Sequence, residues 1–285
     1  MKKNKRKKGK LLNRIINTVI IIGVLTMLYP FVSQLYYSQL SKQNTDDFDK
    51  TASALEPYEI KERIRLATAY NDSLKGGVTT DPYVKKRLEE GRTEYARMLE
   101  VHEKIGHVLI PKIGEDLPIY AGTAESVLQK GVGHLEGSSL PIGGSSTHSV
   151  LTAHSGLPKN RLFTDLKKLK IGDNFYITNI QKCIAYKVDQ IKVVEPTHFE
   201  DMQISMGRDY VTLLTCTPYM INSHRLLVRG HRIPYSPKME EKEKNIMSNT
   251  LFVYAIIILA ILLLIIILLV RSSRKKRKKK EVKCE

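Results

Sequence analysis

Three short segments carry side chains that can do chemistry together. Leu151-Thr-Ala-His154-Ser-Gly-Leu-Pro presents a histidine, and Thr212-Leu-Leu-Thr-Cys216-Thr-Pro-Tyr presents a thiol. Ser223-His-Arg225-Leu-Leu-Val-Arg229-Gly-His-Arg232 presents guanidinium groups. In each segment the reactive residue sits at the edge of a strand-like run beside a turn, where a rigid scaffold can offer a side chain to a cleft. A thiolate can attack a carbonyl, an imidazole can carry the proton, and an arginine can steady the developing oxyanion. That combination is acyl-transfer chemistry.

Each residue also has a plainer reading. A lone cysteine is most often a small buried hydrophobe. Cys216 departs from that pattern because it closes the apolar run Val211–Leu214 and precedes Thr217-Pro218, so its strand stops there. The chain has eight histidines, and residue type does not choose among His102, His107, His134, His148, His154, His198, His224 and His231. Arg229 lies four positions after Arg225, so on a strand both point to one face. Its simpler role is a structural ion pair.

The elements that must position these groups are short strands. His107-Val-Leu-Ile, Leu117-Pro-Ile-Tyr, Ser149-Val-Leu-Thr, Asn174-Phe-Tyr-Ile-Thr, Ala185-Tyr-Lys-Val, Val211-Thr-Leu-Leu-Thr and Arg225-Leu-Leu-Val-Arg are β-type runs separated by Gly, Pro, Asp and Asn. Such spacing predicts a sandwich or a closed barrel, with helices near 124–130 and 161–169. Residues 36–104 read as mainly helical, broken at Pro57 and Gly76-Gly77. Asp81-Pro82 can open a further helix, with Val84, Leu88, Tyr95, Met98 and Leu99 at helical spacing.

Charge locates the chain. Of the net +17 over 285 residues, +15 lies in residues 1–14 and 271–285. A fold that grips nucleic acid spreads its bases over a folded face, so no nucleic-acid partner is expected. Each basic tail abuts an apolar run. Ile15–Ser41 contains no charged residue, and Leu251–Val270 is twenty apolar or aromatic residues, about 30 Å as a helix. Basic flanks mark the cytoplasmic side. The expected layout is therefore a basic cytoplasmic tail (1–14), a membrane helix (15–35) and an extracellular helical region (36–104). A catalytic β-domain (105–235), a juxtamembrane linker (236–250), a second membrane helix (251–270) and a second cytoplasmic tail (271–285) follow. A cleaved leader is the alternative for the first apolar run, although no small-x-small cleavage pattern follows it. Cys183 and Cys216 are the exterior cysteines, and the chain lacks Cys-x-x-Cys, His-Glu-x-x-His and Walker elements, so no metal or cofactor is expected.

Thr212-Leu-Leu-Thr-Cys216 followed nine positions later by Arg225 resembles the sortase signature, and Leu151-Thr-Ala-His154 is similar to the sortase histidine segment. Ile110-Pro-Lys-Ile, Leu117-Pro-Ile-Tyr, Leu162-Phe-Thr-Asp-Leu and Lys170-Ile-Gly-Asp add to the likeness, which covers roughly 105–235. The resemblance implies a sortase-type β-barrel and a cysteine transpeptidase. It implies Cys216 as nucleophile, His154 as general acid/base and Arg225, rather than Arg229, as stabiliser of the substrate carbonyl. Cys216-Thr-Pro-Tyr, the second apolar run and Asp81-Pro82-Tyr83 resemble class C, the pilin-polymerising sortases, although Ala153 and Ser155 depart from the flanks common in that class. By that likeness Asp81, Pro82 and Tyr83 form a lid, with Asp81 pairing Arg225 and Tyr83 covering Cys216. The implied partners are surface proteins with a Leu-Pro-x-Thr-Gly-like sorting signal, an acceptor pilin Lys and the lipid bilayer. Two alternatives stand beside it. One is a wall-anchoring sortase that uses a cell-wall precursor amine. The other is a non-catalytic membrane-tethered adhesion or scaffold module.

Overall fold

The computed structural model of the chain describes residues 2–74, 98–157 and 160–245. It divides into two compact units, Met1–Tyr235 and Ser236–Glu285. In the second unit the described residues include a helix over 237–245, braced by the ion pair of Lys244 with Glu240.

Eight strands build the first unit: β1 (Lys104–Ile110), β2 (Glu115–Ala121), β3 (Val132–His134), β4 (Thr147–Thr152), β5 (Asn174–Thr178), β6 (Cys183–Val194), β7 (Asp209–Thr217) and β8 (His224–Ile233). They close into a barrel in the order β1-β2-β3-β4-β7-β8-β6-β5, with β5 hydrogen-bonded back to β1. Closure pairs every edge strand. The β2·β3 and β4·β7 pairs are parallel, and the other pairs are antiparallel. Side chains alternate between the two faces of a strand. Leu151, Val211, Leu213, Leu226 and Val228 therefore fill the interior with Phe175, Ile177 and Tyr186.

Two helices precede the barrel. Helix α1 (Lys2–Ser53) runs without interruption through Pro30, and α2 (Pro57–Ser73) starts with Pro57 in its first turn. That position suits proline, whose missing N–H is not needed there. The C-terminal part of α1 packs on β1 and β2, with Phe48 fully buried in the core. Lys104 holds Asp47 at 2.8 Å, and His107 bridges Asp116 at 2.7 Å and Asp49 at 3.3 Å. Burial alone would lower the pKa of His107. Asp116 and Asp49 reverse that and raise it to about 9. Helix α2 is fastened by Asn71, whose amide donates to the Leu140 carbonyl at 3.2 Å and accepts from the Leu140 N–H at 2.7 Å.

The seven sequence-predicted strands are all present, and α3 (Glu125–Leu128) lies within 124–130. The expected helix over 161–169 is instead a series of tight turns ending in one 3-10 turn, Leu166–Lys168. The Phe163 N–H donates to the His154 carbonyl, and the Leu166 N–H reaches only Phe163, so α-helical pairing is pre-empted. Residues 98–103, expected to be helical, form turns with a bridge between Val101 and Lys104. Among the described residues, no helix is long and apolar enough to cross a membrane. The second apolar run, 251–270, and the lid segment Asp81, Pro82 and Tyr83 lie outside the described residues.

Candidate active site

Cys216 and Arg225 are register partners across the antiparallel β7·β8 pair. Opposed side chains on such a pair share one face, with Cβ atoms about 4.5–5.5 Å apart. Because Leu213 and Val228 point into the core, Cys216 and Arg225 project from the outer wall of the barrel. β7 stops at Thr217 because Pro218 offers no N–H to continue the ladder.

The histidine arrives from the other side of β7. The parallel β4·β7 register pairs Thr152 with Leu214, and two further residues bring His154 level with Cys216. Ala153 N–H donates to the Leu214 carbonyl at 3.2 Å, and Thr215 Oγ1 donates to the Ala153 carbonyl at 2.7 Å. On its far side the loop is held by Phe163 N–H on the His154 carbonyl at 3.1 Å and by Gly156 N–H on Thr164 Oγ1 at 2.9 Å. Gly156 has φ +87° and lies against the Tyr219 ring, which a Cβ there would meet at 3.1 Å. The structure thus places Cys216 on β7, Arg225 opposite it on β8, and His154 in the loop two residues past β4 on the other side of β7.

Electrostatics separate these residues from their rivals. Arg225 is half-buried and donates from Nη1 to the Asn222 and His224 carbonyls, both at 3.1 Å, which turns its guanidinium toward the β7–β8 turn. Arg229 is committed elsewhere. It forks onto Asp189 at 3.0 and 3.3 Å and stacks 4.2 Å over the Tyr210 ring, opposite Thr212. His134 is buried against the Ser139 carbonyl, and its pKa is lowered to about 4 by desolvation. His148 bridges the Gln203 carbonyl and Thr212 Oγ1. His102 leans on Asp47, His198 on Asp201 and His231 on Asp189. His224 contacts Ser223.

One contact has no signal in the sequence. The Nε2 atom of His154 lies 3.2 Å from both carboxylate oxygens of Glu125, twenty-nine residues earlier on α3. No spacing rule links the two positions, because α3 reaches the site only by packing on β3.

Among the described residues, neither Cys183 nor Cys216 forms a disulfide. Cys183 opens β6 opposite Thr178, beyond the Ala185–Ile233 pairing, whereas Cys216 pairs Arg225 eight residues back along β8. At about 3.3 Å per residue the two thiols stand more than ~20 Å apart. A disulfide is excluded by that separation. Among the described residues, no group of His, Cys, Asp and Glu is arranged to hold a metal ion.

The sequence matches the sortase domain over residues 108–233. It is 63% identical to sortase C-1 from Streptococcus pneumoniae, whose crystal structure superposes with a TM-score of 0.63, covering 68% of this chain and all of that one. The chain belongs to the sortase family. The lid-mutant structure of Streptococcus agalactiae sortase C1 aligns at 57% identity and a TM-score of 0.62, covering 68% of this chain and 98% of that one. Sortase A of Bacillus anthracis is 29% identical over 46% of this chain, and the alignment spans 61% of that relative's length. The family match thus falls on the barrel that carries Cys216, His154 and Arg225.

Proposed function

We propose that the chain is a membrane-anchored cysteine transpeptidase that joins pilin subunits. The observation that carries this reading is the register that sets Cys216 between Arg225 on β8 and His154 beyond β4. Cys216 attacks the Thr carbonyl of a Leu-Pro-x-Thr-Gly-like sorting signal. The Arg225 guanidinium steadies the oxyanion, and His154 protonates the departing Gly amine. The resulting thioester conserves acyl energy until a Lys amine of a second subunit attacks it, forms the isopeptide bond and releases the thiol.

Pilin polymerisation is favoured over wall anchoring by the high identity to sortase C-1, together with Asp81-Pro82-Tyr83. Streptococcus agalactiae sortase C1, one of the similar proteins, has a lid that was mutated for its crystal structure. Here Asp81, Pro82 and Tyr83 are the proposed lid, with Tyr83 shielding the Cys216 thiol.

Membrane anchorage rests on the sequence, where Ile15–Ser41 has no charged residue and Leu251–Val270 is apolar or aromatic throughout. It does not rest on a described helix that meets the length and apolarity of a span. Along α1, Val19, Ile21, Ile22, Met27, Val32 and Leu35 are all more than half exposed. A run of uncovered apolar side chains of that kind is unfavourable in water and is satisfied by acyl chains. With basic residues before it and after 270, both tails are assigned to the cytoplasm and the barrel to the outside.

The test is intact mass of the full-length chain after incubation with a Leu-Pro-x-Thr-Gly peptide. An acyl adduct present in the native chain and missing from Cys216→Ala supports transpeptidation. Transfer of that acyl group to a pilin Lys rather than to a cell-wall precursor amine assigns the acceptor. Absence of an adduct, with Cys216 also unreactive toward an alkylating reagent, favours a scaffold module.

A further inference from the structure

We infer that Glu125 is a positioning residue for His154: it holds the imidazole with Nε2 protonated and leaves Nδ1 as the nitrogen that exchanges a proton. The inference rests on the reading of His154 as general acid/base and names the group that prepares it.

A carboxylate only accepts hydrogen bonds. With both Glu125 oxygens 3.2 Å from Nε2, the proton of a neutral ring belongs on Nε2. The carboxylate is ionised for this task. Its pKa is lowered, first by the hydrogen bond from Gln129 and then by the one from His154. Gln129 Nε2 donates to Glu125 Oε1 at 2.6 Å, so the acid is restrained from its own element as well as from the histidine.

The seat of α3 is specific. Gly133 lies on β3 beneath α3, and a Cβ there would meet the Gly122 carbonyl and come within 3.0 Å of Leu128 Cδ2. The missing side chain lets α3 lie flat on the strand, next to the β3·β4 pair that leads into His154. His154 is thus fixed at its backbone by Phe163 and at its ring by Glu125. A base oriented by a third group is the general arrangement of nucleophilic triads, here with the acid delivered by a helix rather than by the barrel.

The test uses the full-length chain with 15N-labelled histidine. Imidazole 15N shifts of His154 at neutral pH should report a single Nε2–H tautomer. In Glu125→Ala the tautomers should mix, and kcat for acyl-enzyme formation with the Leu-Pro-x-Thr-Gly peptide should fall about tenfold, the low end for loss of an orienting partner, with KM within twofold. Glu125→Gln keeps an acceptor oxygen without the charge, so it should retain the tautomer and most of kcat. The Glu125 side chain is 68% exposed, so these variants should fold. An unchanged tautomer in Glu125→Ala overturns the inference, and so does a mixed tautomer with full kcat. Full activity in His154→Ala would instead overturn the acid/base reading itself.

Discussion

Arg225 lies directly across the β7·β8 ladder from Cys216, whereas Arg229, four residues on, is forked onto Asp189 and stacked over Tyr210. The two arginines share a strand face but are given different work by their neighbours. Replacing Arg225 with Ala should lower kcat for acyl-enzyme formation by about 10²–10³, the usual cost of losing an oxyanion donor. Lys at 225 should restore little, because a point charge cannot reproduce a planar fork. Arg229→Ala should leave kcat within a few-fold and cost about 1–2 kcal/mol of stability, read as a fall in Tm of several degrees.

Thr215→Val tests how the histidine loop is held. The hydroxyl of Thr215 is buried and donates to the Ala153 carbonyl at 2.7 Å. Valine keeps the shape and leaves that carbonyl unpaired, at a cost of about 1–3 kcal/mol. The neighbouring His154 should lose alignment, and kcat should fall about tenfold while Thr215→Ser stays near native. Urea unfolding and single-turnover acylation measure the two effects.

His107 makes docking of α1 depend on pH. Its pKa of about 9 in the folded chain lies above the ordinary histidine value of 6.5, so the folded state binds the proton more tightly. The stabilisation is fully present below about pH 6.5 and is lost as pH rises through about 9. A gap of that size corresponds to a contribution on the order of 3 kcal/mol. Thermal unfolding at pH 6, 8 and 10 should show a progressive fall in Tm that is much flatter in His107→Gln.

Asn71→Leu addresses the fastening of α2. The substitution removes both hydrogen bonds to Leu140 and leaves its buried N–H unpaired, while its carbonyl keeps the Ile142 N–H at 2.8 Å. A loss of about 1–3 kcal/mol is expected. Hydrogen exchange should rise in α2 more than in β7 and β8, because the strands keep their own ladder.

Tyr83→Ala tests the proposed lid. Alkylation of Cys216 by a small thiol reagent should speed up about tenfold or more, and equal rates in the two proteins would remove the lid from the account. Asp81→Ala should act in the same direction by releasing its proposed pairing with Arg225.

The features legible in the order of residues are local ones. Alternation marked seven strands, Pro57 marked the start of α2, and the nine-residue spacing of Cys216 and Arg225 around Pro218 suits two antiparallel strands joined by a turn. Apolar runs and end charges carried the topology expectation because hydropathy is a property of consecutive residues. The three-residue β3 was missed, since Val132–His134 is too short for a period to register. The 161–169 segment has helical composition, but the His154 carbonyl captures the Phe163 N–H and turns the chain. The long-range relations came from packing. His154 stands beside Cys216 only because β4 and β7 pair in parallel across some sixty residues, a register fixed by packing Leu151 against Leu213 inside a closed barrel. Glu125 reaches His154 only because Gly133 lets α3 settle on β3. Such neighbours are chosen by burial and closure, which act through space and leave no spacing in the chain to read.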